Sequence, residues 1–423
     1  MTKNNAKLPN EWEWVKLSDI GKIISGGTPS TAISEYWEGS INWIAPSDLT
    51  GYKNIRIKSG KKSITELGLK KSSARLMPKG SVLFSCRAPI GYTVIADEEL
   101  CTNQGFKSII PFDFVDSLYI YYFLKASKQD AEKVASGTTF KEISLKSFSE
   151  LSFPLPPLNI QQAIVSKIEE LFSELDKGIE DLKTAQQQLK TYRQSVLKWA
   201  FEGKLTNENA KDGELPKDWK FFKIGEVCKT IDGDRGPNYP KKEEFSKEGY
   251  CLYLSTKNVR EDRFLFEETI FITKEKDERL RSGKLQKNDV IITTRGTLGN
   301  VALYDNKVPF EHVRINSGML ILRILNENLY NYYLMKFITS PVFINQLKNM
   351  QTGTAQPQIP ANILREIEIS LPPTIEEQHL IVQEIESRLS VADKMEESIA
   401  QSLQQSEALR QSILKKAFSG ELV

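Results

Sequence analysis

The chain states one pattern twice. Ile164-Val165, Ile168-Glu169, Asp176-Lys177 and the run Arg193-Gln194-Ser195-Val196-Leu197-Lys198 return about 217 residues later. The later forms are Ile381-Val382, Ile385-Glu386, Asp393-Lys394 and Arg410-Gln411-Ser412-Ile413-Leu414-Lys415. Each copy closes on Ala-Phe-x-Gly-x-Leu, from Ala200 to Leu205 and from Ala417 to Leu422. Solenoid repeats run about 20–50 residues, so this period excludes a repeat array. It implies two related half-molecules in one 423-residue polypeptide, long enough for each to bury its own core.

The best-matched parts are helical in pattern. No proline interrupts Asn159 to Phe201, and a largely apolar seam advances by alternating steps of four and three through Ile164, Ile168, Leu171, Leu175, Gly178, Leu182, Ala185, Leu189, Tyr192, Val196 and Trp199. The second copy keeps that register through Ile381, Ile385, Arg388, Ala392, Met395, Ile399, Ser402, Ser406, Leu409, Ile413 and Lys416. This is a coiled-coil seam. Asn159 with Gln162, and Thr374 with Glu377, supply N-cap and third-residue pairs after Pro156-Pro157 and Pro372-Pro373. Gly203 and Gly420 suit the left-handed helix stop, and Lys198 and Lys415 complement the helix dipole beside it. Each helix of roughly 40 residues would be about 60 Å long. Small seam residues such as Gly178, Ala185, Ser402 and Ser406 suit two unequal helices packing on each other. The alternative is that each helix lies on its own domain.

The segments ahead of the helices read as globular. Val82-Leu83-Phe84, Val94-Ile95, Ile109-Ile110, Val290-Ile291-Ile292 and Met319 to Leu322 are short apolar runs among Gly, Pro and Ser turns, which predicts strands. Tyr119 to Lys125 and Tyr330 to Lys336 predict a matched pair of amphipathic helices. The duplication persists here as a skeleton. Leu8-Pro9 and Trp12 answer Leu215-Pro216 and Trp219, Arg87 and Gly91 answer Arg295 and Gly299, and Asn103 and Gly105 answer Asn316 and Gly318. Close helices and divergent globular parts imply a common frame holding two faces that do different versions of one job. The fold class is therefore α+β: two mixed α/β globular domains joined by two long antiparallel coiled-coil helices, with a pseudo-twofold internal repeat.

Several function classes are excluded. No run approaches the ~18 apolar residues of a membrane helix, and Met1 to Asn5 begins no secretory segment. Cys86, Cys101, Cys228 and Cys251 lack metal-ligand spacing and have only His312 and His379 as helpers, so no metal site is expected and reduced cytoplasmic thiols are. Gly21-Lys22, Gly203-Lys204 and Gly283-Lys284 are each followed by the wrong residue for a phosphate loop. The net charge is +2, unevenly spread: residues 1–158 carry 20 basic and 16 acidic groups, residues 159–203 carry 6 and 7. The positive excess sits in the globular segments, where a phosphate backbone could be met.

The arrangement of variable domain, Pro-Pro helix ending in Ala-Phe-x-Gly-x-Leu, second variable domain and second such helix resembles the specificity subunit of type I restriction–modification systems. Its carriers are Leu155-Pro156-Pro157 with Gln161-Gln162-Ala163-Ile164-Val165, and Leu371-Pro372-Pro373 with Glu377-Gln378-His379-Leu380-Ile381-Val382. Gly26-Gly27-Thr28-Pro29-Ser30 with Tyr36-Trp37 and Trp43-Ile44 is similar to a common target-recognition domain of that family, whereas the second half has Asp232-Gly233-Asp234-Arg235-Gly236. The resemblance implies target-recognition domains at 1–158 and 204–373, and spacer helices that dock methyltransferase at 159–203 and 374–423. It implies a non-catalytic reader of a split, asymmetric DNA target. The partners would be double-stranded DNA, two adenine-N6 methyltransferase subunits and two motor–nuclease subunits, with no membrane. The chain itself would hold no cofactor; S-adenosylmethionine, magnesium and ATP would sit on the partners. An adenine methyltransferase of this type resembles Asn/Asp-Pro-Pro-Tyr/Phe, but Leu158 and Thr374 follow the proline pairs here. The competing reading is a coiled-coil scaffold with two protein-binding heads.

Base reading needs paired donors and acceptors, Arg for guanine and Asn or Gln for adenine. The first-half candidates are Thr28, Ser30, Ser47, Arg87, Asn103 and Gln104; the second-half candidates are Arg235, Asn238, Lys257, Asn258, Arg295, Thr297 and Asn316. Arg87 and Arg295 stand out because each follows a strand and precedes a glycine turn. Each candidate is otherwise a solubilising or turn residue. Phosphate contacts, which fix register without reading sequence, fall to Lys53, Arg56, Lys107, Lys141 and Lys241. Gly137-Thr138-Thr139 and Gly353-Thr354 are either backbone contacts or turns. Trp12, Trp43, Trp219, Tyr121, Tyr332 and Tyr333 are read as core rather than as stacking platforms.

Overall fold

The structure is a computed structural model that describes residues 8–87, 89–137, 141–207, 214–260, 262–296, 298–350 and 358–423. Thr297, Thr138-Thr139 and Gly353-Thr354 therefore lie outside the described residues. The chain forms two compact units: Met1–Leu182 with Gln401–Val423, and Lys183–Ala400. Each long helix contributes to both units.

In the first unit a five-stranded sheet runs in the order Gly21–Ser25, Phe106–Pro111, Val82–Ser85, Thr93–Ala96, Arg56–Ile57. A three-stranded sheet places Trp37–Ile44 between Lys62–Ile64 and Leu100–Thr102, the last pairing parallel to it. The second unit repeats the plan. Cys228–Asp232, Met319–Ile324, Val290–Thr293 and Val301–Leu303 form one sheet, and Cys251–Leu254 lies between Phe271–Ile272 and the parallel strand Val313–Ile315. The apolar runs do become these strands. Val82–Ser85 and Val290–Thr293 are buried along their whole length, so they sit inside their sheets rather than at an edge. The matched helices are Ser117–Ala126 and Asn331–Ile338.

The first long helix spans Leu158–Phe201 and the second Ile375–Ser419. Thr374 caps the second as expected, its hydroxyl accepting from the Glu377 N–H at 3.2 Å. The first starts two residues earlier than the Asn159/Gln162 pair implies. The Pro157 carbonyl accepts from the N–H groups of Ile160 and Gln161 at 2.9 and 3.0 Å, so Asn159 lies inside the first turn. Both helices stop the same way: Gly203 and Gly420 have φ of 75° and 78°, which only glycine adopts freely. The Lys204 N–H then reaches the Trp199 carbonyl and the Glu421 N–H the Lys416 carbonyl, at 2.9 and 3.0 Å.

The helices run antiparallel against each other within each unit. In the first, Ile164, Val165 and Ile168 share a core with Ile413, Leu414, Ala417 and Phe418; in the second, Val196, Leu197, Ala200 and Phe201 share one with Ile381, Val382 and Ile385. The apolar seam continues inward through Leu189, Ala392 and Ile399, which are buried. On the same seam Tyr192, Met395 and Leu409 are exposed, contrary to the heptad reading. Ion pairs join the helices beside them: Arg193 bonds Asp393 at 2.6 Å and Glu396 at 3.0 Å, and Arg410 bonds Asp176 while lying over the Phe172 ring.

The Ala-Phe ends explain why both motifs recur. Phe201 packs edge-on to Tyr333 and Phe337, with centroids 5.0 and 5.2 Å apart, and Phe418 packs on Tyr119 and Phe123 at 5.1 and 5.4 Å. Each helix thus begins in one globular core and ends in the other. Trp12, Trp219, Tyr121, Tyr332 and Tyr333 belong to these cores, as expected of large aromatic groups, and Trp43 to a smaller one.

Candidate nucleic-acid interface

Two buried glutamines tie each long helix to its globular domain. Gln161 accepts from the Asp116 N–H at 2.9 Å and donates to the Phe114 and Pro156 carbonyls at 3.2 and 2.9 Å. Gln378 accepts from the Tyr330 N–H at 2.8 Å and donates to the Asn328 carbonyl at 2.6 Å. Both side chains are fully buried. A glutamine suits this place because one amide presents a donor and an acceptor together, meeting backbone groups that would otherwise be buried unpaired.

At one end of each three-stranded sheet the chain builds the same turn twice. Asn103 donates its N–H to the Ile44 carbonyl at 2.9 Å and accepts from the Gly105 N–H at 2.9 Å; Asn316 repeats both bonds with Leu254 and Gly318 at 3.0 and 2.9 Å. A second loop lies over this turn. A side chain at Gly26 would collide with the Asn103 carbonyl, and one at Gly233 with the Asn316 carbonyl. A third loop joins it: the Cys86 N–H reaches the Gly105 carbonyl at 2.7 Å, and the Thr294 N–H the Gly318 carbonyl at 2.8 Å. The loops at Gly26, Cys86 and Asn103 therefore gather at one place, and those at Gly233, Thr294 and Asn316 at the equivalent place. The backbone frame is common; the side chains it presents differ.

In the first unit Thr28 donates to the Gln104 side-chain carbonyl, bringing two candidates together, while Ser30 and Ser47 are exposed nearby in sequence to these loops. Asn103 spends its side-chain oxygen on its own turn. Arg87 is half-exposed and its Nε donates to Glu142 at 2.7 Å. Lys107 is buried, its ammonium 3.6 Å from the same Glu142 and donating to the Gln104 carbonyl at 3.4 Å. Glu142 thus neutralises two of the cations singled out from the sequence. Lys53, Arg56 and Lys141 stand exposed.

In the second unit Arg235 bonds Asp232 at 3.2 Å and the Ser317 carbonyl at 3.3 Å. Arg235 and Arg295 line one cleft of about 290 Å³ with Asp232, Thr294, Gln358 and Asn362. Arg295 is exposed and makes no side-chain ion pair among the described residues, which sets it apart from Arg87. Lys257 is exposed, 3.5 Å from Glu268, and Asn238 donates to the Arg279 carbonyl at 3.3 Å. Asn258 is buried, with its oxygen accepting from Ser255 and its NH₂ donating to the Leu265 and Glu268 carbonyls at 3.0 and 2.8 Å. Its side chain is committed inside the domain, and Asn316 spends its oxygen on its turn. Lys241 is exposed at a helical turn.

Sequence reading did not reach Lys229, Arg281, Lys284, Arg314 and Arg323, which line a second groove beside Asp232. These residues come from three separate strands and a loop, so no local pattern announces them. The four cysteines are buried and free, and burial pushes each thiol up to about 12, which removes them as nucleophiles at neutral pH.

The family model for the type I restriction modification DNA specificity domain matches residues 9–184 and again 216–405. The specificity subunit of the type I restriction enzyme MjaIX of Methanocaldococcus jannaschii is 31% identical over 98% of this chain and 94% of its own length. That of EcoBI from Escherichia coli is 28% identical over 78% of this chain and 71% of its own. Among solved structures, the HsdS subunit of Thermoanaerobacter tengcongensis superposes with a TM-score of 0.65 at 20% identity, each chain being fully covered. A chain from a type I restriction–modification system solved for its complex assembly gives 0.70 at 21% identity, covering 98% of this chain and 99% of that one.

Proposed function

The chain belongs to the type I restriction–modification DNA specificity family, a non-catalytic DNA-recognition component, and we propose that it reads a split, asymmetric target with its two globular domains. Residues 1–158 take one half-site and residues 204–373 the other. The long helices, 159–203 and 374–423, set the separation and dock two adenine-N6 methyltransferase subunits, to which two motor–nuclease subunits add. The methyltransferase supplies S-adenosylmethionine chemistry and the motor supplies ATP and magnesium chemistry. The place of action is the cytoplasm; among the described residues no helix is long and apolar enough to cross a membrane.

One observation carries this reading: the same three-loop backbone frame is built twice, around Asn103 and around Asn316, with different side chains mounted on it. A reader of two unlike half-sites needs that combination, because position comes from the frame and base choice from the side chains. Linking both readers through one pair of helices makes the second binding event intramolecular, and a stiff connector holds their spacing where a flexible linker would not.

The test is to co-express the chain with its methyltransferase and map N6-methyladenine in the host DNA. A two-part motif with an unspecified spacer of constant length is expected. A single contiguous motif, or methylation that does not depend on this chain, contradicts the reading.

A further inference from the structure

The second globular domain holds a charged groove, three of whose cations are neutral residues in the first. It is about 640 Å³, lined by Lys229, Arg281, Lys284, Arg314 and Arg323, with Asp232 at its rim. Strand register identifies the corresponding residues of the first domain. Arg314 lies across from Tyr253 where Cys101 lies across from Trp43. Arg323 lies across from Lys229 where Ile110 lies across from Lys22. Lys284 bridges to Arg314 one residue before the Leu285–Val313 bond, the place Leu76 holds before the Met77–Leu100 bridge. Three neutral residues in one copy, Leu76, Cys101 and Ile110, are thus three cations in the other.

The fold does not require those cations, since the first domain forms the same strands without them. Holding Arg314 is costly, because it is buried and must be paired as it leaves water. The second domain meets that cost with two carboxylates behind the groove. Asp277 is fully buried and takes Arg314 together with Lys284, the latter at 2.5 Å; Asp289 takes Arg323 in two bonds of 2.9 and 2.8 Å. Arg314 also donates to the carbonyls of Ser282 and Leu280 at 2.8 and 3.1 Å, which fixes the segment carrying Arg281. Lys229 and Arg281 are exposed in the groove and make no side-chain hydrogen bond or salt bridge among the described residues. Asp232, the rim carboxylate, is already engaged by Arg235. The result is a pair of exposed cations over a paired charged floor, beside the loop that carries Arg235; Asp234, which accepts from the Arg281 N–H at 2.7 Å, is the carboxylate near Arg281.

We propose that this groove binds the sugar–phosphate backbone of the DNA next to the half-site read by the second domain, Lys229 and Arg281 each meeting a phosphate oxygen. The proposal rests on the DNA-reading function above and adds a positioning contact that the first domain does not make. Phosphate contacts of this kind raise affinity without choosing bases and make binding depend on salt.

The experiment uses the full chain with its methyltransferase partner and a labelled duplex carrying the mapped target. The dissociation constant is measured from 50 to 200 mM salt for wild type, Lys229→Ala/Arg281→Ala and Lys22→Ala. Two lost phosphate contacts reduce the log–log salt slope by about 1.8, so over that range the double variant weakens about tenfold less than wild type. Its preference for the target over a one-base variant stays unchanged, and Lys22→Ala keeps the wild-type slope. An unchanged slope in the double variant overturns the groove assignment alone. A changed base preference overturns it too, because the residues would then be reading sequence. Competition by inorganic phosphate at matched ionic strength, lost in the double variant, identifies a small-anion site and also overturns it. If wild type binds neither duplex, the DNA-reading function falls first and the groove with it.

Discussion

Arg193 bonds Asp393 at 2.6 Å across the helix pair, and Arg410 makes the same bond to Asp176 one repeat later. The two contacts are one interaction used twice, since Arg193 answers Arg410 and Asp176 answers Asp393 in the duplicated sequence. They specify which face of one helix meets the other. They do little for stability, because Asp176 and Asp393 are both mostly exposed and such pairs are worth roughly 0–1 kcal/mol.

Stability comes from the apolar ends, so the two kinds of contact respond differently to truncation. Asp393→Ala is expected to cost less than about 1 kcal/mol. Phe418→Ala empties a fully buried site between Tyr119 and Phe123 and is expected to cost about 3–5 kcal/mol. Urea unfolding of both variants checks this. Equal losses would mean that the ion pairs, rather than the Ala-Phe ends, hold the helices.

The buried glutamines give a sharper test of how helix and domain are joined. Gln161→Met keeps volume and flexibility but leaves the Asp116 N–H and the Phe114 and Pro156 carbonyls without their partner. A loss of about 1–3 kcal/mol is expected. Gln378→Met is expected to do the same in the second domain, and a stability within 0.5 kcal/mol of wild type, roughly the noise of a surface change, would show that those groups find other partners.

Arg87 and Arg295 hold equivalent positions but unequal freedom. Arg295→Ala is expected to lose about 1–3 kcal/mol of discrimination at one base pair of one half-site, the worth of a paired arginine–guanine contact. Arg87, already bonded to Glu142, is expected to weaken target and altered target alike when replaced by Ala. Competition binding with single-base variants separates the outcomes, and a base-specific loss from Arg87→Ala would show that Glu142 releases it.

Asp277 sets a pH dependence. Burial opposes its ionisation, but Lys284 and Arg314 hold the carboxyl below its ordinary value. A depressed acid stabilises the folded state above the unfolded pKa of about 3.9 and loses that contribution as pH falls through the lower folded value. Unfolding of the second domain is therefore expected to become easier below about pH 4. Asp277→Asn leaves Arg314 without its buried partner, which costs about 3–5 kcal/mol at neutral pH and flattens the acid slope. Identical acid slopes in wild type and variant would remove Asp277 from this role.

What the sequence revealed follows the range of the interactions involved. The long helices, their glycine stops and the strand runs are set by neighbours a few residues away, so Gly203, Gly420 and Val290–Thr293 could be read directly. The Asn159 cap lies two residues too late because the Pro157 carbonyl already accepts from the Ile160 and Gln161 N–H groups. Tyr192, Met395 and Leu409 fit the heptad spacing yet stay exposed, while Leu189, Ala392 and Ile399 on the same seam are buried and Arg193 and Arg410 add ion pairs beside them. The settings of Lys107 and Asn258 were hidden for another reason. Glu142, Leu265 and Glu268, which surround them, are brought there only by the folded chain.

If the two domains read two halves of one target at a distance set by the helices, longer helices must lengthen the spacer between the half-sites. Both helices begin in one core and end in the other, so lengthening requires matched insertions, four helical residues after Gln186 and four after Ala400. Each insertion adds about 6 Å and about 40° of rotation, close to one or two base pairs at 3.4 Å each. Mapping N6-methyladenine with the folded variant is expected to return both half-sites unchanged, with a spacer longer by one or two base pairs. An unchanged spacer in a folded, methylation-competent variant would contradict the account.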